Sequence, residues 1–321
     1  MNTANNNNND SNDNNDSNNN NNNNNDASSC ANCGKGEESS GELKACTSCK
    51  MVKYCNDSCQ EAHRSQHKKE CRRRAAELHD EELFKQPPQP KDCPICFLRM
   101  PWLGTGNRYQ SCCGKRICSG CVHAGAMVGD DHLCPFCRAP APTSSEEDKA
   151  IERVKKRVEM GDAAAIHNLA RCYAEGTYGV QQDRGKALEL WCQSAELGNT
   201  GSYYNIGNAY LNGRGVGRDM KKAAHYWELA AIGGSINARH NLGNVEFRAG
   251  NIDRALKHYM IAVRSGSNES LKIIKQLFTH GAVTKDDYMN GLKNYQAYLV
   301  EVKSDDRDKA AAYDDEYKYY G

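Results

Sequence analysis

The strongest constraint on this chain is a dense series of cysteine and histidine residues between positions 30 and 137, in two consecutive sets of eight. The first set is Cys30, Cys33, Cys46, Cys49, Cys55, Cys59, His67 and Cys71. The second set is Cys93, Cys96, Cys112, Cys113, Cys118, Cys121, Cys134 and Cys137. Four thiolate or imidazole ligands make a closed tetrahedral zinc site, so the two sets predict about four structural zinc ions per chain. Because closed sites leave no position for a substrate water, we expect zinc to shape binding surfaces.

Composition favours an intracellular protein. The 321 residues leave room for about two or three domains, and a net charge of +1 argues against nucleic-acid binding by the whole protein. The 17 cysteines would suggest disulfides in a secreted protein, but the N-terminus lacks the basic start and apolar segment of a signal peptide. No run of about 18 apolar residues indicates a membrane span. We therefore expect a cytoplasmic or nuclear protein whose CxxC-spaced cysteines bind metal.

The segments outside the ligand sets are polar. Residues 1–28 are dominated by asparagine and have almost nothing apolar to bury, so they are predicted to be a disordered tail, with self-association as the alternative. Residues 72–91 are predicted to form a charged helix, starting near residue 68, and then an extended proline-rich linker. The basic residues at 68–74 fit a solvated helix face, or else a nuclear-import or phosphate-contacting patch.

From about residue 150 the sequence repeats itself. An asparagine followed by leucine or isoleucine recurs at spacings of 37 and 36 residues, at Asn168-Leu169, Asn205-Ile206 and Asn241-Leu242. A large aromatic residue follows each pair, at Trp191, Trp227 and Tyr259. This period is typical of helix hairpins stacked into a solenoid. We predict repeats over 150–267, with helices such as 201–212 and 219–232, capping helices over 268–303, and a C-terminal tail over 304–321.

Two of these units resemble Sel-type repeats, the longer-loop relatives of tetratricopeptide units. Besides the asparagine pairs, they share a Gly-Val-x-x-Asp loop and a Lys-Ala pair before the tryptophan, at 179–183, 215–219, Lys186-Ala187 and Lys222-Ala223. Repeats of that family act as scaffolds. The resemblance therefore implies that this segment binds helical or extended segments of other proteins.

The first ligand set has the spacing of a compact zinc finger. Cys55 and Cys59, like His67 and Cys71, lie one helical turn apart, so each pair faces one side of a helix. The whole pattern strongly resembles the MYND zinc finger, predicted here over 29–71. That resemblance implies two zinc ions held in a cross-brace, by Cys30, Cys33, Cys55 and Cys59 and by Cys46, Cys49, His67 and Cys71. His63 is the alternative to His67.

MYND fingers capture short proline-containing peptides, so the resemblance implies such partners for residues 29–71. The family commonly has tryptophan where this chain has Arg64, and that aromatic side chain helps to form the peptide groove. Arg64 therefore affects the expectation of peptide binding but leaves the expectation of zinc binding unchanged. About 40 residues bury too little apolar surface to fold alone, so zinc would supply most of the folding free energy, about 10–16 kcal/mol.

The second set opens and closes with proline-containing CxxC pairs, which resemble those of a RING finger, predicted over 92–139. A RING finger usually has histidine where Lys115 stands, and the adjacent Cys112 and Cys113 offer an all-cysteine replacement. The cross-brace would then use Cys93, Cys96, Cys118 and Cys121 for one zinc and Cys112, Cys113, Cys134 and Cys137 for the other. The alternative is that His123 or His132 displaces one of the adjacent cysteines.

RING fingers that act as ubiquitin ligases hold the charged conjugating enzyme in a productive conformation and do no covalent chemistry themselves. Three positions match the conjugating-enzyme surface of that family: Ile95, Pro135 and Arg138. Ile95 and Pro135 also fit ordinary shell positions of a small zinc fold, and Arg138 also fits a solvated surface residue. The resemblance thus leaves both a ligase and a RING-like interaction fold open.

The sequence as a whole predicts a multidomain protein: two small cross-brace zinc-finger modules, then an all-α helix-hairpin solenoid. Its predicted function is a zinc-binding adaptor for other proteins, with no catalytic residues. The alternative is a RING-type ubiquitin ligase whose repeats recruit the substrate. A nucleic-acid partner is not expected, because the charge is balanced and no aromatic residues interleave with the basic run.

Overall fold

The computed structural model describes residues 28–102, 104–127, 133–142 and 146–320, and the chain divides into two compact units between His79 and Asp80. Of the predicted tail at 1–28, only residue 28 lies within the described part. The predicted fold class is confirmed: cysteine-rich modules precede a solenoid of helices.

The first unit contains the first ligand set, on short elements that lead into a long helix. Helix α1 (Glu37–Ser40) precedes strands β1 (Lys44–Ala45) and β2 (Lys53–Tyr54), which pair antiparallel. Its buried apolar core contains mainly ligand-set cysteines: Cys30, Leu43, Cys46, Cys49, Val52 and Tyr54. Such a core cannot offset the entropy of ordering the chain by apolar burial alone.

Helix α2 (Asp57–Leu83) starts eleven residues before the predicted start near residue 68. The Asn56 side chain explains this start, because its Oδ1 accepts a 2.8 Å hydrogen bond from the backbone N–H of Cys59 and caps the first turn. The early start places Cys59, His67 and Cys71 on one helix.

The second unit begins with the last turn of α2 and the predicted linker. Leu83 is buried in a cluster with Trp227 and Leu242. The Phe84 ring lies 4.7 Å from the His258 ring, between centroids, with the Arg254 guanidinium carbon 5.1 Å from its centroid. The start of the linker is therefore packed against the repeats.

The second finger lies in this same unit. Strands β3 (Asn107–Gln110) and β4 (Lys115–Cys118) pair antiparallel, with Asn107 opposite Cys118, and lead directly into α3 (Ser119–Gly125). Its buried core is Cys93, Met100, Ile117, Cys118 and Cys134. As in the first finger, cysteines of the ligand set make up much of that core.

The helices that follow are α4 (Glu147–Glu159), α5 (Ala163–Glu175), α6 (Arg184–Glu196), α7 (Thr200–Asn212), α8 (Met220–Ile232), α9 (Ile236–Arg248), α10 (Ile252–Arg264), α11 (Asn268–Thr279), α12 (Lys285–Val302) and α13 (Asp305–Tyr313). From α4 to α12, each helix packs against the next. Polar side chains cap the first turn of most repeat helices: Asp162, Asp183, Asn199, Asp219, Ser235 and Ser267. Each accepts a hydrogen bond from a backbone N–H that would otherwise lack a partner.

The repeated landmarks are packing partners within each hairpin. A Cβ on Gly243 would lie 2.4 Å from the Tyr259 ring, so only glycine lets α10 approach α9 this closely. The Tyr259 hydroxyl donates a 2.8 Å hydrogen bond to Asn244 Oδ1. In the preceding unit, Trp227 lies equally close to Gly207.

The segment predicted as a C-terminal tail, residues 304–321, is described through residue 320 and contains α13. Ser304 caps α13, which packs against α3 of the second finger. Tyr319 is buried, and its carbonyl accepts a 3.1 Å hydrogen bond from the Tyr298 hydroxyl. None of the helices in the described ranges has both the length and the apolar composition needed to cross a membrane.

Candidate metal centres

The first finger gathers its eight ligand-set residues into two groups of four. In one group, Cys30, Cys33, Cys55 and Cys59, all sulfur atoms lie within 4.8 Å of one another. The Sγ atoms of Cys33 and Cys55 are 3.7 Å apart, and those of Cys55 and Cys59 are 3.5 Å apart. This grouping is the one that the cross-brace implies.

The other group is Cys46, Cys49, His67 and Cys71. The Sγ atoms of Cys46 and Cys71 are 3.7 Å apart, and Cys49 Sγ lies 3.1 Å from His67 Nε2. His63, the alternative to His67, lies outside the group. Its Nδ1 is 3.1 Å from the Tyr54 hydroxyl oxygen, and its ring stacks on His67 at 5.7 Å between centroids.

The second finger also contains two groups of four, Cys93, Cys96, Cys118 and Cys121 and, separately, Cys112, Cys113, Cys134 and Cys137. Sulfur separations of 3.7 Å for Cys96–Cys118 and 3.5 Å for Cys112–Cys137 match those in the first finger. His123 is outside both groups: its ring faces that of Tyr313, at 5.1 Å. His132 lies outside the described residues.

These separations fit zinc. In a tetrahedron with zinc–sulfur bonds of about 2.3 Å, neighbouring sulfur atoms lie about 3.8 Å apart. The measured sulfur pairs span 3.5 to 4.0 Å. Thiolate and imidazole are also the ligands that zinc prefers over oxygen donors in structural sites. The chain thus has four clusters that can each hold one zinc ion, and every cluster is complete without a water.

The same backbone turn builds five of the cysteine pairs, whereas the Cys118–Cys121 pair leads into α3. The residue after the second cysteine is in the left-handed region, and its N–H bonds to the carbonyl four residues earlier, as Phe97 does to Cys93 at 2.9 Å and Arg138 to Cys134 at 2.9 Å. The φ angles there are 72°, 59°, 57°, 71° and 60° at Gly34, Lys50, Phe97, Gly114 and Arg138. This turn carries the two cysteines of a pair to one side, where they can share a metal ion.

Crowding and hydrogen bonding drive the pKa values of neighbouring thiols apart. Burial opposes ionisation of Cys30, but backbone hydrogen bonds from Cys33 and Cys55 outweigh it and lower its pKa to about 6. The hydrogen bond with Cys59 raises the pKa of Cys55 to about 12. Four thiolates this close repel one another, so full ionisation of a cluster requires a cation among them.

The residues predicted to contact partners occupy different environments. Ile95 and Pro135 are half-buried, whereas Arg138 is exposed. Next to them, the Phe97 side chain is 77% exposed and that of Phe136 is 43% exposed, so both knuckles present apolar surface to solvent. Arg64 is exposed on α2.

The second finger is fixed to the first repeat helices by a polar cluster that spacing did not predict. Asp162 accepts hydrogen bonds from the Tyr109 hydroxyl at 2.7 Å and from Arg157 Nη2 at 2.8 Å. Its other oxygen caps α5 through the N–H groups of Ala164 and Ala165. An aspartate before a helix signals a cap, but nothing in the sequence marks Tyr109 as its partner.

Comparison with known families identifies two of the modules. The MYND finger family model matches residues 30–71, the span of the first ligand set. The chain carries a MYND finger. The Sel1 repeat family model matches residues 163–199 and 201–235, which contain α5 to α8. Both sequence resemblances are thereby confirmed.

Several solved structures resemble the chain. They include a Sel1 repeat protein from Oxalobacter formigenes (25% identity, 52% of this chain and 64% of that chain, TM-score 0.41). A protective antigen of uropathogenic Escherichia coli with an SLR fold (21%, 55% and 45%, TM-score 0.31) and an immunity protein from Pseudomonas aeruginosa (21%, 60% and 68%, TM-score 0.37) are also similar. The chain spans just under two thirds of the first and less than half of the second. No curated protein shows significant similarity.

MYND fingers and Sel1 repeats are both protein-interaction modules. In this chain they accompany four closed four-ligand clusters, within the described residues, that can each hold a zinc ion.

Proposed function

We propose that the protein is a zinc-finger adaptor that holds two kinds of partner at once: a short proline-containing peptide on the MYND finger and a helical or extended segment on the repeats. The observation that carries this proposal is the completeness of the four clusters. Each has four soft donors within 4.8 Å, so zinc would be structural and the work of the protein would be binding.

Arg64 offers a direct test of peptide binding by the first finger. It is exposed on α2, at the position where MYND fingers commonly have tryptophan. Full-length protein and Arg64→Trp would be titrated by fluorescence anisotropy with a labelled proline-containing peptide and its proline-to-alanine counterpart. We expect Arg64→Trp to bind the first peptide more tightly, since an aromatic ring adds contact surface. Equal affinity of both proteins for both peptides would exclude this role.

Stacked tyrosines on α7 and α8 supply a contact surface on the repeats. The rings of Tyr210 and Tyr226 are 5.6 Å apart at 5°, and Tyr203 lies 6.4 Å from Tyr226, with all three half-buried. Such amphipathic rings are enriched at protein interfaces. We expect Tyr226→Ala to weaken capture of a repeat-binding partner at least tenfold, whereas Tyr178→Ala, an exposed tyrosine outside the stack, should leave it unchanged.

A ubiquitin ligase is the second candidate, favoured by the partly exposed Ile95 and Pro135 and the exposed Arg138 on the second finger. Its test is autoubiquitination of the full chain with a panel of conjugating enzymes, comparing wild type with Ile95→Ala and Arg138→Ala. Chains formed by wild type and lost in both variants would establish the ligase. If no ubiquitin chains form with any conjugating enzyme, the ligase is excluded and the adaptor function is the remaining proposal.

We also infer that the protein works in the cytoplasm or nucleus, because its fifteen ligand cysteines must stay reduced to bind zinc. Imaging of a fluorescent fusion would test this, and accumulation in a secretory compartment would contradict it.

A further inference from the structure

The second finger receives a buried arginine from the C-terminal helix. Arg307 on α13 is 0% exposed. Its Nη1 donates a 2.7 Å hydrogen bond to the Val302 carbonyl, whereas Nε and Nη2 have no hydrogen-bond partner within the described residues. No carboxylate in the described part of the chain forms an ion pair with it. Burying a cation with two unused donors costs free energy unless a nearby anion compensates it.

The candidate anion is a cysteine of the second finger. Helix α13 approaches α3 so closely that a Cβ on Gly120 would lie 2.8 Å from the Arg307 backbone nitrogen. The same Cβ would lie 2.9 Å from Arg307 Cγ, so the arginine side chain begins beside α3, two residues along the chain from Cys118. Cys118 is 1% exposed, and Cys93 of the same cluster is 0% exposed, so water cannot solvate charge on their sulfur atoms.

Zinc binding would leave this buried cluster negatively charged. Four thiolates around one divalent zinc have a net charge of about −2. We propose that Arg307 is the counter-ion of the cluster formed by Cys93, Cys96, Cys118 and Cys121, with its free guanidinium N–H groups directed at Cys118. The inference rests on the proposed zinc assignment of this cluster. It makes α13 part of the second finger, although almost two hundred residues separate them in sequence.

Arg239 provides a matched control because its burial and bonding are alike. It is 1% exposed, its Nη1 donates to the Leu83 carbonyl, and its Nε and Nη2 also lack partners. Burial alone lowers its pKa to about 10, with no anion counteracting it. Burial by itself therefore does not identify a counter-ion, and the position of Arg307 beside α3 of the second finger is what distinguishes it from Arg239.

The test follows zinc release from full-length zinc-loaded protein into an excess of a chromogenic chelator. Thiol alkylation and peptide mass spectrometry then identify the cysteines that become free. In Arg307→Met we expect the zinc at the four named cysteines to leave about 10-fold to 100-fold faster, the usual effect of losing a group that supports metal ligands. Arg307→Lys, which keeps the charge, should restore most of the slow release. Arg239→Met should release zinc as wild type does.

The possible results distinguish failure of the counter-ion role of Arg307 from failure of zinc binding by this cluster. If wild type holds no zinc at these four cysteines, the assignment and the inference both fail. If folded Arg307→Met releases zinc at the wild-type rate, the counter-ion role of Arg307 is wrong although the zinc assignment stands. The same conclusion follows if Arg307→Met and Arg239→Met release zinc equally faster than wild type. Should Arg307→Met not fold, Gly120→Ala separates α13 from α3 with the arginine intact. Slow release in that variant would also overturn the inference.

Discussion

The hydroxyl of Tyr109 donates a 2.7 Å hydrogen bond to Oδ2 of Asp162, the residue that caps the first repeat helix. One carboxylate thus serves two modules, because it caps the first turn of α5 and also holds strand β3 of the second finger. The second finger and the repeats therefore form one structural unit, in agreement with the division of the chain between His79 and Asp80.

Removing this hydroxyl should loosen the second finger. We expect Tyr109→Phe to lower the free energy of unfolding of the second unit by about 1.5 kcal/mol, at the low end for a hydrogen bond to a charged group because the pair is only partly buried. Chemical denaturation of wild type and Tyr109→Phe would measure this difference in the free energy of unfolding. Tyr178→Phe removes a hydroxyl from an exposed ring and should change nothing. An equal loss in both variants would contradict the role of the Tyr109–Asp162 bond.

The same carboxylate should make stability depend on acidity. Burial opposes the charge on Asp162, but hydrogen bonds from Tyr109 and Arg157 outweigh it and hold its pKa below the usual value. A carboxyl with a lowered pKa stabilises the fold fully above its unfolded pKa of about 3.9, and that contribution is lost as pH falls through the folded pKa. Denaturation midpoints of wild type and Asp162→Asn should therefore converge at the lowest pH. A constant difference between them at every pH would exclude this account.

Phe97, which follows the first CxxC pair of the second finger, has a left-handed backbone conformation, so replacing it with glycine should stabilise the protein. Phe97 has φ 57° and is 77% exposed. Phe97→Gly should relieve about 1–2 kcal/mol of backbone strain and lose about 0.5–1 kcal/mol to chain entropy, for a net gain of about 0.5 kcal/mol. The neighbouring Leu98 lacks a positive φ, so Leu98→Gly should be destabilising. Thermal unfolding of both variants measures this, and destabilisation by Phe97→Gly would contradict the geometry.

His63 and His67 stand one turn apart on α2 and should behave differently toward zinc. His67 Nε2 lies 3.1 Å from Cys49 Sγ, whereas His63 Nδ1 lies 3.1 Å from the Tyr54 hydroxyl. We expect His67→Ala to lose about one zinc ion per chain, since three ligands leave the site open. His63→Ala should retain all of them. Loss of zinc in His63→Ala with retention in His67→Ala would reverse the assignment.

Features set by local spacing were predictable from the sequence, whereas contacts between distant segments were not. The CxxC pairs and the one-turn spacing of His67 and Cys71 indicated which ligands act in pairs, and the resemblance to cross-brace fingers implied how those pairs combine into the groups that the structure brings together. The repeat period likewise predicted the helices, because each hairpin contacts mainly its neighbours. The bond between Tyr109 and Asp162 and the packing of α13 against α3 join segments far apart in the sequence, and no periodicity encodes them. The start of α2 was misplaced because the Asn56 cap was not recognised.

The number of zinc ions bound per chain tests the four-cluster assignment most directly. Purified protein would be dialysed against metal-free buffer, and its zinc measured by elemental analysis against protein concentration from amino-acid analysis. Four complete clusters predict about four zinc ions per chain, falling to about three in Cys112→Ser. A value of about two in wild type would contradict the account, because the second finger would then hold no zinc.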